Sequence, residues 1–336
     1  MNQIAVVILN WNGKSFLEQF LPSVTKYSGD ARIIVADNNS TDDSIPFVKS
    51  KYPSVEIITL TENYGFAGGY NNALNQVDAQ YFVLLNSDVE VTENWLTPMF
   101  NLLENDTKIA ACQPKIKDFK RKSENYFEYA GAAGGYIDKL GFPFCKGRVF
   151  DTLEIDNGQF NDVSEIFWAS GACLFIRAEL YKSIGGLDEF FFAHMEEIDL
   201  CWRIKNQGYK IMYTPNATVY HVGGGTLDKT KPKKTFLNFR NSLLTLHKNL
   251  PKNKIFTTIF IRLCLDGVAG VKFLLEGKPM HTIAIIKAHF SFYGALKQNR
   301  LKRVPFKELL LAGMINKSIV WEYYLKKKKS FTDILK

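Results

Sequence analysis

The sequence YFVLLNSD at residues 81–88 is the clearest single indication of the architecture. Its first five residues form an unbroken apolar run, as expected for a strand buried on both faces of a parallel sheet. A second unbroken apolar run lies at residues 4–9, and strand-like segments rich in apolar residues lie at 32–36 and 55–60, separated by segments with helical patterns. This alternation predicts an α/β fold with a mostly parallel central sheet and helices on both faces. Ligands of such sheets bind beyond the carboxyl ends of the strands.

The polar end of this stretch predicts a cation site. Residues i and i+2 of an extended chain face the same way, so Asn86 and Asp88 can direct two oxygens at one point. A hard divalent cation, Mg²⁺ or Mn²⁺, prefers oxygen ligands and keeps positions for phosphate oxygens and water. The competing interpretation is a turn with a helix N-cap, where Asn, Ser and Asp are common. The position after the fourth strand makes the two interpretations about equally good.

Two further segments follow the second and third strands. Asp37, Asn38 and Asn39 offer a carboxylate and two amides for a base edge or ribose hydroxyls, although the same DNNS sequence suits a helix cap. Residues 63–71 read NYGFAGGYN, in which glycines would let backbone N–H groups approach a phosphate at a helix start. This loop is weak evidence alone. Both segments are candidate elements of a donor site.

Residues 194–203, HMEEIDLCWR, predict a short helix with acid–base chemistry. Helical spacing puts Glu196, Asp199 and Arg203 on one face, where Asp199 and Arg203 would form a structural ion pair. Glu197 projects elsewhere and is free to act as a general base, with a pKa raised by acidic surroundings. The alternative is a solvated acidic turn. Further on, His221 precedes three glycines, where a metal or phosphate role competes with a structural one.

The charge is distributed unevenly. From residue 226 onward, 23 Lys and Arg stand against 6 Asp and Glu, although the net charge of the whole chain is only +8. The tail from about residue 236 has an amphipathic helical pattern, which predicts that it lies on an anionic membrane or packs on the core. Its charges argue against a spanning helix. Five scattered cysteines without a CxxC motif, and a start without a signal-peptide pattern, are typical of a cytoplasmic protein.

The motifs, in this order, resemble the family 2 inverting glycosyltransferases with the GT-A fold, and within them a bacterial rhamnosyltransferase-like branch. The matching segments are residues 6–13, 37–40, 63–71, 84–88, 168–172 and 196–203. Each motif is modest alone, but their order makes a strong signal. The resemblance covers roughly residues 1–245. It implies a Rossmann-like GT-A domain with a nucleotide-sugar half at 1–110 and an acceptor-binding and catalytic half at 111–235. A basic, amphipathic helical region at 236–336 follows.

The resemblance implies a role for each matching position. The implied donor-binding residues are Asn10, Asp37, Asn39, Asn63, Gly65, Asn71, Asn86, Asp88 and Arg240, the last of which would neutralise a departing diphosphate. Asp88 and His221 would hold the divalent cation. The implied acceptor-binding residues are Trp168, Gly171 and Asp199. Glu197 stands at the position of the family's catalytic base.

The sequence departs from the family pattern at two places. Asn86 replaces the first Asp of the DxD triplet, which the branch tolerates but which lowers the expected affinity for metal. Glu196-Glu197 replaces the usual Glu-Asp pair, so Glu196 stays a second candidate for the base. A non-catalytic protein that binds sugar nucleotides or glycans is the alternative that Asn86 supports. A sugar nucleotidyltransferase is disfavoured, since no glycine-rich basic loop follows the first strand.

The implied function is the transfer, with inversion, of rhamnose or another hexose from a UDP- or dTDP-sugar to an acceptor hydroxyl. The acceptor would be a glycan or a lipid-linked glycan in cell-surface polysaccharide synthesis. The enzyme would lie peripherally on the inner face of the cell membrane, with Trp321, Tyr323, Tyr324 and lysines 326–329 at the anionic surface. Nucleic acid is not an expected partner, since no recognised module is present. The oligomeric state, the nucleotide and the linkage stay open.

Overall fold

The computed structural model describes residues 3–223, 231–303 and 311–336. The strands within these ranges are β1 Ile4–Asn10, β2 Arg32–Asp37, β3 Glu56–Thr59, β4 Tyr81–Asn86, β5 Val89–Val91, β6 Ile109–Asp118, β7 Gly135–Asp138, β8 Pro143–Cys145, β9 Arg148–Val149, β10 Thr152–Leu153, β11 Ser164–Ile166, β12 Cys173–Arg177, β13 Lys210–His221 and β14 Met314–Ile315. The α-helices are α1 Lys14–Tyr27, α2 Ser44–Lys51, α3 Gly65–Leu74, α4 Leu96–Asn105, α5 Ala178–Ser183, α6 Glu196–Asn206, α7 Pro232–Asn249, α8 Lys252–Leu275, α9 Pro279–Leu301 and α10 Phe331–Leu335.

The main sheet has the strand order β11-β13-β6-β12-β4-β1-β2-β3, and β5 pairs with β13. Strands β1 to β4 pair in parallel, as do β6 and β13, whereas β12 runs antiparallel between β4 and β6. The carboxyl ends of β1, β2, β4, β6 and β13 therefore lie at one edge of the sheet. The prediction of a mostly parallel sheet is confirmed.

Two apolar cores cover the two faces of this sheet. Ala5 and Val7 of β1 join the core under α3, α5 and α6, whereas Ile4, Val6 and Ile8 join the core under α1, α2 and α4. Because both faces are buried, the strand had to read as an unbroken apolar run. Helices on both faces, as predicted, follow from the same pattern.

Several element limits differ from the sequence-based prediction. The apolar pattern around residues 71–76 predicts a helix near residue 71, but α3 begins earlier, at Gly65, which takes a positive φ at the turn into the helix. The apolar segments at 209–213 and 218–222 each predict a strand, but they form a single strand, β13, with a register shift between Thr214 and Thr218. The segment at 168–177 predicts one strand, of which only the part from Cys173 onward is a strand. The predicted domain limits at 110 and 235 fall inside β6 and α7.

A second sheet has the strand order β10-β9-β8-β7-β14, and helix α10 packs against it. Phe331 of α10 packs its ring against Tyr136, Phe144 and Phe160. Helix α7 packs against α6 and α9, and α8 packs against α9. The predicted helical C-terminal region is therefore present. Among the described residues, no helix is both long enough and apolar enough to cross a membrane.

Candidate active site

The carboxyl ends of β1 and β2 form a polar corner. Asn10 is fully buried, and its Nδ2 donates to Asp37 Oδ1 at 3.2 Å and to Ser40 Oγ at 3.1 Å. Asn10 Oδ1 is buried and, within the described part of the chain, has no hydrogen-bond partner. A Cβ at Gly13 would lie 2.4 Å from this oxygen, so only glycine fits there. The corner thus keeps one acceptor available for a donor group on a ligand.

Asn38 organises the neighbouring loop. Its Nδ2 donates to Asn63 Oδ1 and to the Gly65 carbonyl, and its Oδ1 accepts from the Tyr64 N–H. Asn63 Oδ1 also accepts from the Gly65 N–H. Asn63 and Gly65 are therefore held against β2, as the donor-site prediction requires. Asn39 next to it is exposed and has a positive φ of 63°.

The glycine-rich start of α3 is occupied by another segment of the protein. The Phe66 and Ala67 N–H groups, which were predicted to approach a phosphate, donate to the Phe192 carbonyl at 2.8 and 3.2 Å. A Cβ at Gly65 would lie 2.5 Å from the Phe192 ring. The expected phosphate cradle is therefore closed by the loop at residues 187–195. Asn71 also contacts this loop rather than open space, through the backbone of Leu187.

A cluster of possible metal ligands lies beyond β4 and β13. Asp88 Oδ1 is 3.1 Å from His221 Nε2, and Asn86 Nδ2 is 3.4 Å from the same nitrogen. Glu128 Oε1 lies 3.4 Å from His221 Nδ1. The structure brings together Asn86, Asp88 and His221, as predicted, and adds Glu128. Gly224 and Gly225 of the same motif lie outside the described residues.

Opposite charges control the protonation of this cluster. Burial would lower the pKa of His221, but the carboxylates of Glu128 and Asp88 outweigh it and raise the pKa to about 10. Burial would raise the pKa of Asp88, but the charge and hydrogen bond of His221 lower it. The two side chains therefore form an ion pair near neutral pH.

The cluster fits a divalent cation that a ligand would complete. In residues 3–223, 231–303 and 311–336, no three His, Cys, Asp or Glu side chains are already arranged as a metal site. Asp88 would supply a hard oxygen and Asn86 an amide oxygen, whereas His221 would supply a nitrogen only after the cation displaces its proton. Mg²⁺ is commonly bound by one or two carboxylates together with substrate phosphates, so a small donor set is sufficient. Asp88, His221 and Asn86 would hold the cation.

Glu196 and Glu197 form an acid pair at the start of α6. Each has one buried oxygen, Oε2, without a hydrogen-bond partner among the described residues. Burial raises the pKa of Glu197 to about 7, against the lowering effect of backbone N–H groups. Burial, and the neighbouring Glu197, raise the pKa of Glu196 well above its usual range. One carboxyl of the pair is thereby poised to exchange a proton near neutral pH.

The loop before α6 is strained. Phe192, His194 and Met195 all have positive φ angles, of 64°, 70° and 72°. Left-handed conformations of bulky residues persist only where the surroundings hold them, and they cluster at functional sites. The strained residues directly precede the glutamate pair at the start of α6.

Helix α7 supplies the groups that hold this loop. Asn241 Nδ2 donates to the carbonyls of Phe191, Ala193 and His194 at 2.8 to 3.0 Å. Arg240 Nη2 donates to the carbonyls of Phe190 and Phe191. The structure thus gives Arg240 a contact with the loop, and its role at a departing diphosphate stays a prediction.

Two of the predicted acceptor residues lie in the core. Asp199 is fully buried and accepts from Arg203, Lys248 and Asn249 through both oxygens, which confirms the predicted ion pair with Arg203. Trp168 is buried, and its indole N–H donates to the Tyr136 carbonyl. Asp199 and Trp168 are thus buried with their polar atoms already paired, and their acceptor-binding role stays a prediction.

Gly171, the third predicted acceptor residue, lies where α3 packs closely against the segment at 168–172, and its acceptor role stays a prediction. A Cβ there would lie 2.9 Å from the Phe66 ring, so glycine permits the close approach of α3. The adjoining Ala172 carbonyl accepts from the Asn86 N–H, and the Ala169 N–H donates to Cys201 Sγ of α6. The segment at 168–172 therefore links the end of β4 to the glutamate helix.

Two contributors escaped the sequence-based prediction. Glu128 lies in an irregular region and reaches His221 only through the fold, so no local pattern marks it. Asn241 follows Arg240 directly, so its position beside a residue already chosen was the available signal.

A parallel sheet with a polar corner at β1 and β2, a cation-type cluster after β4 and an acid pair at α6 defines a GT-A type glycosyltransferase. The family model described as "Glycosyl transferase family 2" matches residues 5–184. The chain belongs to this family. The predicted family and enzyme class are confirmed.

A curated relative and two solved structures are similar to the chain. It is 25% identical over 237 residues to N-acetylglucosaminyl-diphospho-decaprenol L-rhamnosyltransferase of Mycobacterium tuberculosis, which covers 65% of this chain and 75% of that protein. The fold is similar to that of S. aureus TarS with UDP-GlcNAc, at TM-score 0.56 and 13% identity over 90% of this chain and 84% of that one. It is also similar to a Pyrobaculum calidifontis mannosyltransferase with GDP-Man and Mn²⁺, at TM-score 0.53 and 13% identity, with 87% of each chain covered. The likeness supports the GT-A fold.

Proposed function

We propose that the chain transfers a hexose, with inversion, from a UDP- or dTDP-sugar to a hydroxyl of a lipid-linked glycan in cell-surface polysaccharide synthesis. The observation that carries this proposal is the acid pair Glu196 and Glu197, whose buried, unpartnered oxygens lie at the start of α6 in the described part of the chain. The segment at 168–172 ties that helix to the end of β4. A carboxyl with a pKa near 7 suits general-base catalysis.

The reaction is a single displacement. Glu197, or Glu196 as the second candidate, takes the proton of the acceptor hydroxyl as its oxygen bonds to the anomeric carbon. The bond from that carbon to the diphosphate oxygen breaks on the opposite face, and the nucleoside diphosphate leaves with the electron pair. A cation held by Asp88, His221 and Asn86 would supply positive charge to the leaving diphosphate. Attack from the face opposite the leaving group inverts the configuration.

The polar corner at Asn10 and Asp37 is the proposed nucleotide pocket. The buried Asn10 Oδ1 accepts from a ligand N–H or O–H without losing an existing bond. Asp37 is anchored by Asn10 and by the Ser40 N–H, so its carboxylate is oriented in advance. Both features suit a base edge or ribose hydroxyls, which UDP and dTDP present in different ways.

The lipid-linked acceptor rests on the similarity to the mycobacterial rhamnosyltransferase, whose name specifies a diphospho-decaprenol acceptor. The excess of Lys and Arg after residue 226 supports a place on an anionic membrane, on its cytoplasmic face.

The test is calorimetric titration of the full chain with UDP, dTDP and GDP, each with and without Mn²⁺. We expect Mn²⁺ to strengthen the binding of UDP or dTDP, and Asn86→Asp to strengthen it further, because it adds a second carboxylate. The sugar nucleotide of the tighter binder is then incubated with a short-chain diphosphoprenyl acceptor. Binding without any sugar transfer would favour the non-catalytic alternative. Absence of binding by all three nucleotides would refute the donor site.

A further inference from the structure

Helix α8 is built with its polar side inward. Arg262 and Asp266 are only 3% and 1% exposed, whereas Val268 and Leu275 on the other side are 66% and 84% exposed. Soluble surface helices show the opposite arrangement, with apolar residues toward the core and charges toward water. The outer face needs an apolar partner, because large exposed apolar surfaces mark sites of interaction.

The inward charges are held by contacts from other elements. Arg262 Nη1 donates to the Leu140 carbonyl at 2.9 Å, and its guanidinium lies 3.8 Å from the centre of the Phe142 ring. Asp266 Oδ2 lies 3.1 Å from His289 Nε2 of α9. These contacts fix the rotation of α8, so its apolar side must point outward.

Helix α9 extends the same surface. Ile283, Ile286, Phe290 and Tyr293 are all exposed and follow one another at spacings of three and four, which places them on one helical face. The two helices are joined by the hydrogen bond from Thr282 Oγ1 to the Gly270 carbonyl. We call the combined apolar side of these two helices the α8–α9 face. Its large exposed apolar residues are Phe256, Phe260, Ile261, Val268, Val271, Leu274, Leu275, Met280, Ile283, Ile286, Phe290, Tyr293 and Leu301.

The charges around this face are almost all positive. Eight basic residues of α8, α9 and the adjoining turns are exposed: Lys252, Lys254, Lys272, Lys278, Lys287, Lys297, Arg300 and Lys302. The two acids between residues 252 and 303 are the buried Asp266 and the exposed Glu276. An apolar face with a basic border is the pattern of a helix that lies in an anionic membrane surface.

Aromatic residues adjoin the same face. The Lys272 ammonium at the end of α8 lies 5.9 Å from the centre of the Tyr324 ring. The π-helical turn Trp321–Leu325 therefore sits beside α8, and its Trp321 and Leu325 are exposed. Trp and Tyr are enriched at the level of lipid head groups.

We propose that the α8–α9 face seats the enzyme in an anionic lipid bilayer, with both helices lying in the interface rather than crossing it. A second copy of the chain is a poorer occupant, because a two-fold dimer would set the basic border of one copy against that of the other. The lysines at 326–329 are a weaker candidate for the main contact, since most of the large exposed apolar side chains of the described residues lie on α8 and α9. The proposal deepens the membrane location given with the proposed function, on which it rests, by naming the surface that contacts the lipid, and it does not depend on which sugar is transferred.

The test is flotation of the full chain with vesicles of phosphatidylglycerol and phosphatidylcholine in equal parts, and with vesicles of phosphatidylcholine alone. We expect binding to the anionic vesicles, weakened but not abolished when salt is raised from about 0.1 to about 1 M, where the screening length falls to about 3 Å. The double variant Phe260→Ser/Phe290→Ser should bind at least about 10-fold more weakly, since each apolar side chain contributes through burial in the acyl region. The matched control is Ile155→Ser/Val163→Ser, which removes two exposed apolar residues elsewhere and should bind like the wild type.

Other results overturn the proposal. Equal binding by both double variants would assign the contact to another surface, such as the lysines at 326–329. A dimer in lipid-free solution that Phe260→Ser/Phe290→Ser dissociates, together with no vesicle binding, would assign the face to a second copy. Transfer to a water-soluble acceptor should be unchanged in Phe260→Ser/Phe290→Ser, so that loss of membrane binding is distinguished from failure of the proposed enzymatic function.

Discussion

Replacing the proposed base is the most informative perturbation of this site. Glu197→Gln keeps the size and shape of the side chain but removes its ability to take a proton. Loss of a general base typically costs about 10²- to 10⁴-fold in rate, so kcat should fall by that amount while nucleotide binding is retained. In the wild type, kcat should rise with pH through about 7, the pKa to which burial raises this carboxyl.

The same substitution should raise the stability of the folded protein, although it lowers kcat. The usual pKa of a glutamate is 4.5, and burial raises that of Glu197 to about 7 in the folded protein. A raised folded pKa means that the stabilising effect of the neutral carboxyl is present below pH 4.5 and lost as pH rises through about 7. Each tenfold change in an acid dissociation constant corresponds to about 1.4 kcal/mol, so the loss above pH 7 is on the order of 3 kcal/mol. Gln never ionises, so the variant avoids this loss.

Thermal unfolding measured across pH tests this reasoning. An unfolding entropy of about 2.1 cal/mol/K for each residue converts the gain into a rise in Tm of roughly 4 °C at about pH 8, fading toward about pH 5. Glu196→Gln is the matched control. Burial and the neighbouring Glu197 raise the pKa of Glu196 and keep it protonated, so its replacement should leave the pH profile of kcat in place.

Two results would refute this account. If Glu197→Gln transfers sugar at the wild-type rate while Glu196→Gln is inactive, Glu196 is the base. If the Tm difference between Glu197→Gln and the wild type is the same at pH 5 and pH 8, the carboxyl does not titrate in this range, and the argument from burial is wrong.

Three further substitutions test other parts of the site. Asp88→Asn should remove the enhancement of nucleotide binding by Mn²⁺ in calorimetry, and an unchanged enhancement would exclude Asp88 as a ligand. Asn241→Ala leaves three loop carbonyls without their donor, so it should lower the free energy of unfolding by about 3 kcal/mol and reduce kcat. A variant with the wild-type free energy of unfolding and the wild-type kcat would show that the loop needs no support from α7. Gly13→Ala would place a Cβ 2.4 Å from Asn10 Oδ1 and should weaken nucleotide binding. Its control is Gly267→Ala, which has open space around it and should leave binding intact while stabilising α8 by about 0.5–1 kcal/mol. Equal nucleotide affinity in both variants would place the nucleotide elsewhere.

The strands of the donor half were predictable because a strand that is buried on both faces is a nearly continuous apolar run in the sequence. Asp37, Asn86 and Asp88 at their ends followed from the rule that ligands bind beyond the carboxyl ends, whereas Asn10 was implied by the family resemblance. His221 was singled out by its position at a strand end beside a run of glycines, and that strand, β13, runs in the same direction as β6. Physical rules that use only the local sequence were sufficient to predict these elements.

The remainder depends on contacts between distant segments. The start of α3 looked like a phosphate cradle, but its N–H groups meet the carbonyl of Phe192, more than a hundred residues away. Arg240 stays a predicted diphosphate ligand, but its contact with the distant loop at residues 187–195 could not be seen from the sequence around it. The direction of the polar side of α8 depends on Leu140, which no periodicity within α8 reveals.

The attachment of α7 to the loop before α6 bears on how sugar specificity could be exchanged between members of the family. The family match ends at residue 184, yet Asn241 and His221 lie beyond it. In a chimera that is joined at the end of the match and takes α7 from a relative, the carbonyls of Phe191, Ala193 and His194 would face a helix that normally packs against a different loop. Residues 187–249 are therefore the segment to exchange as one unit. Chimeras that contain this whole segment should retain the acid pair in its native arrangement.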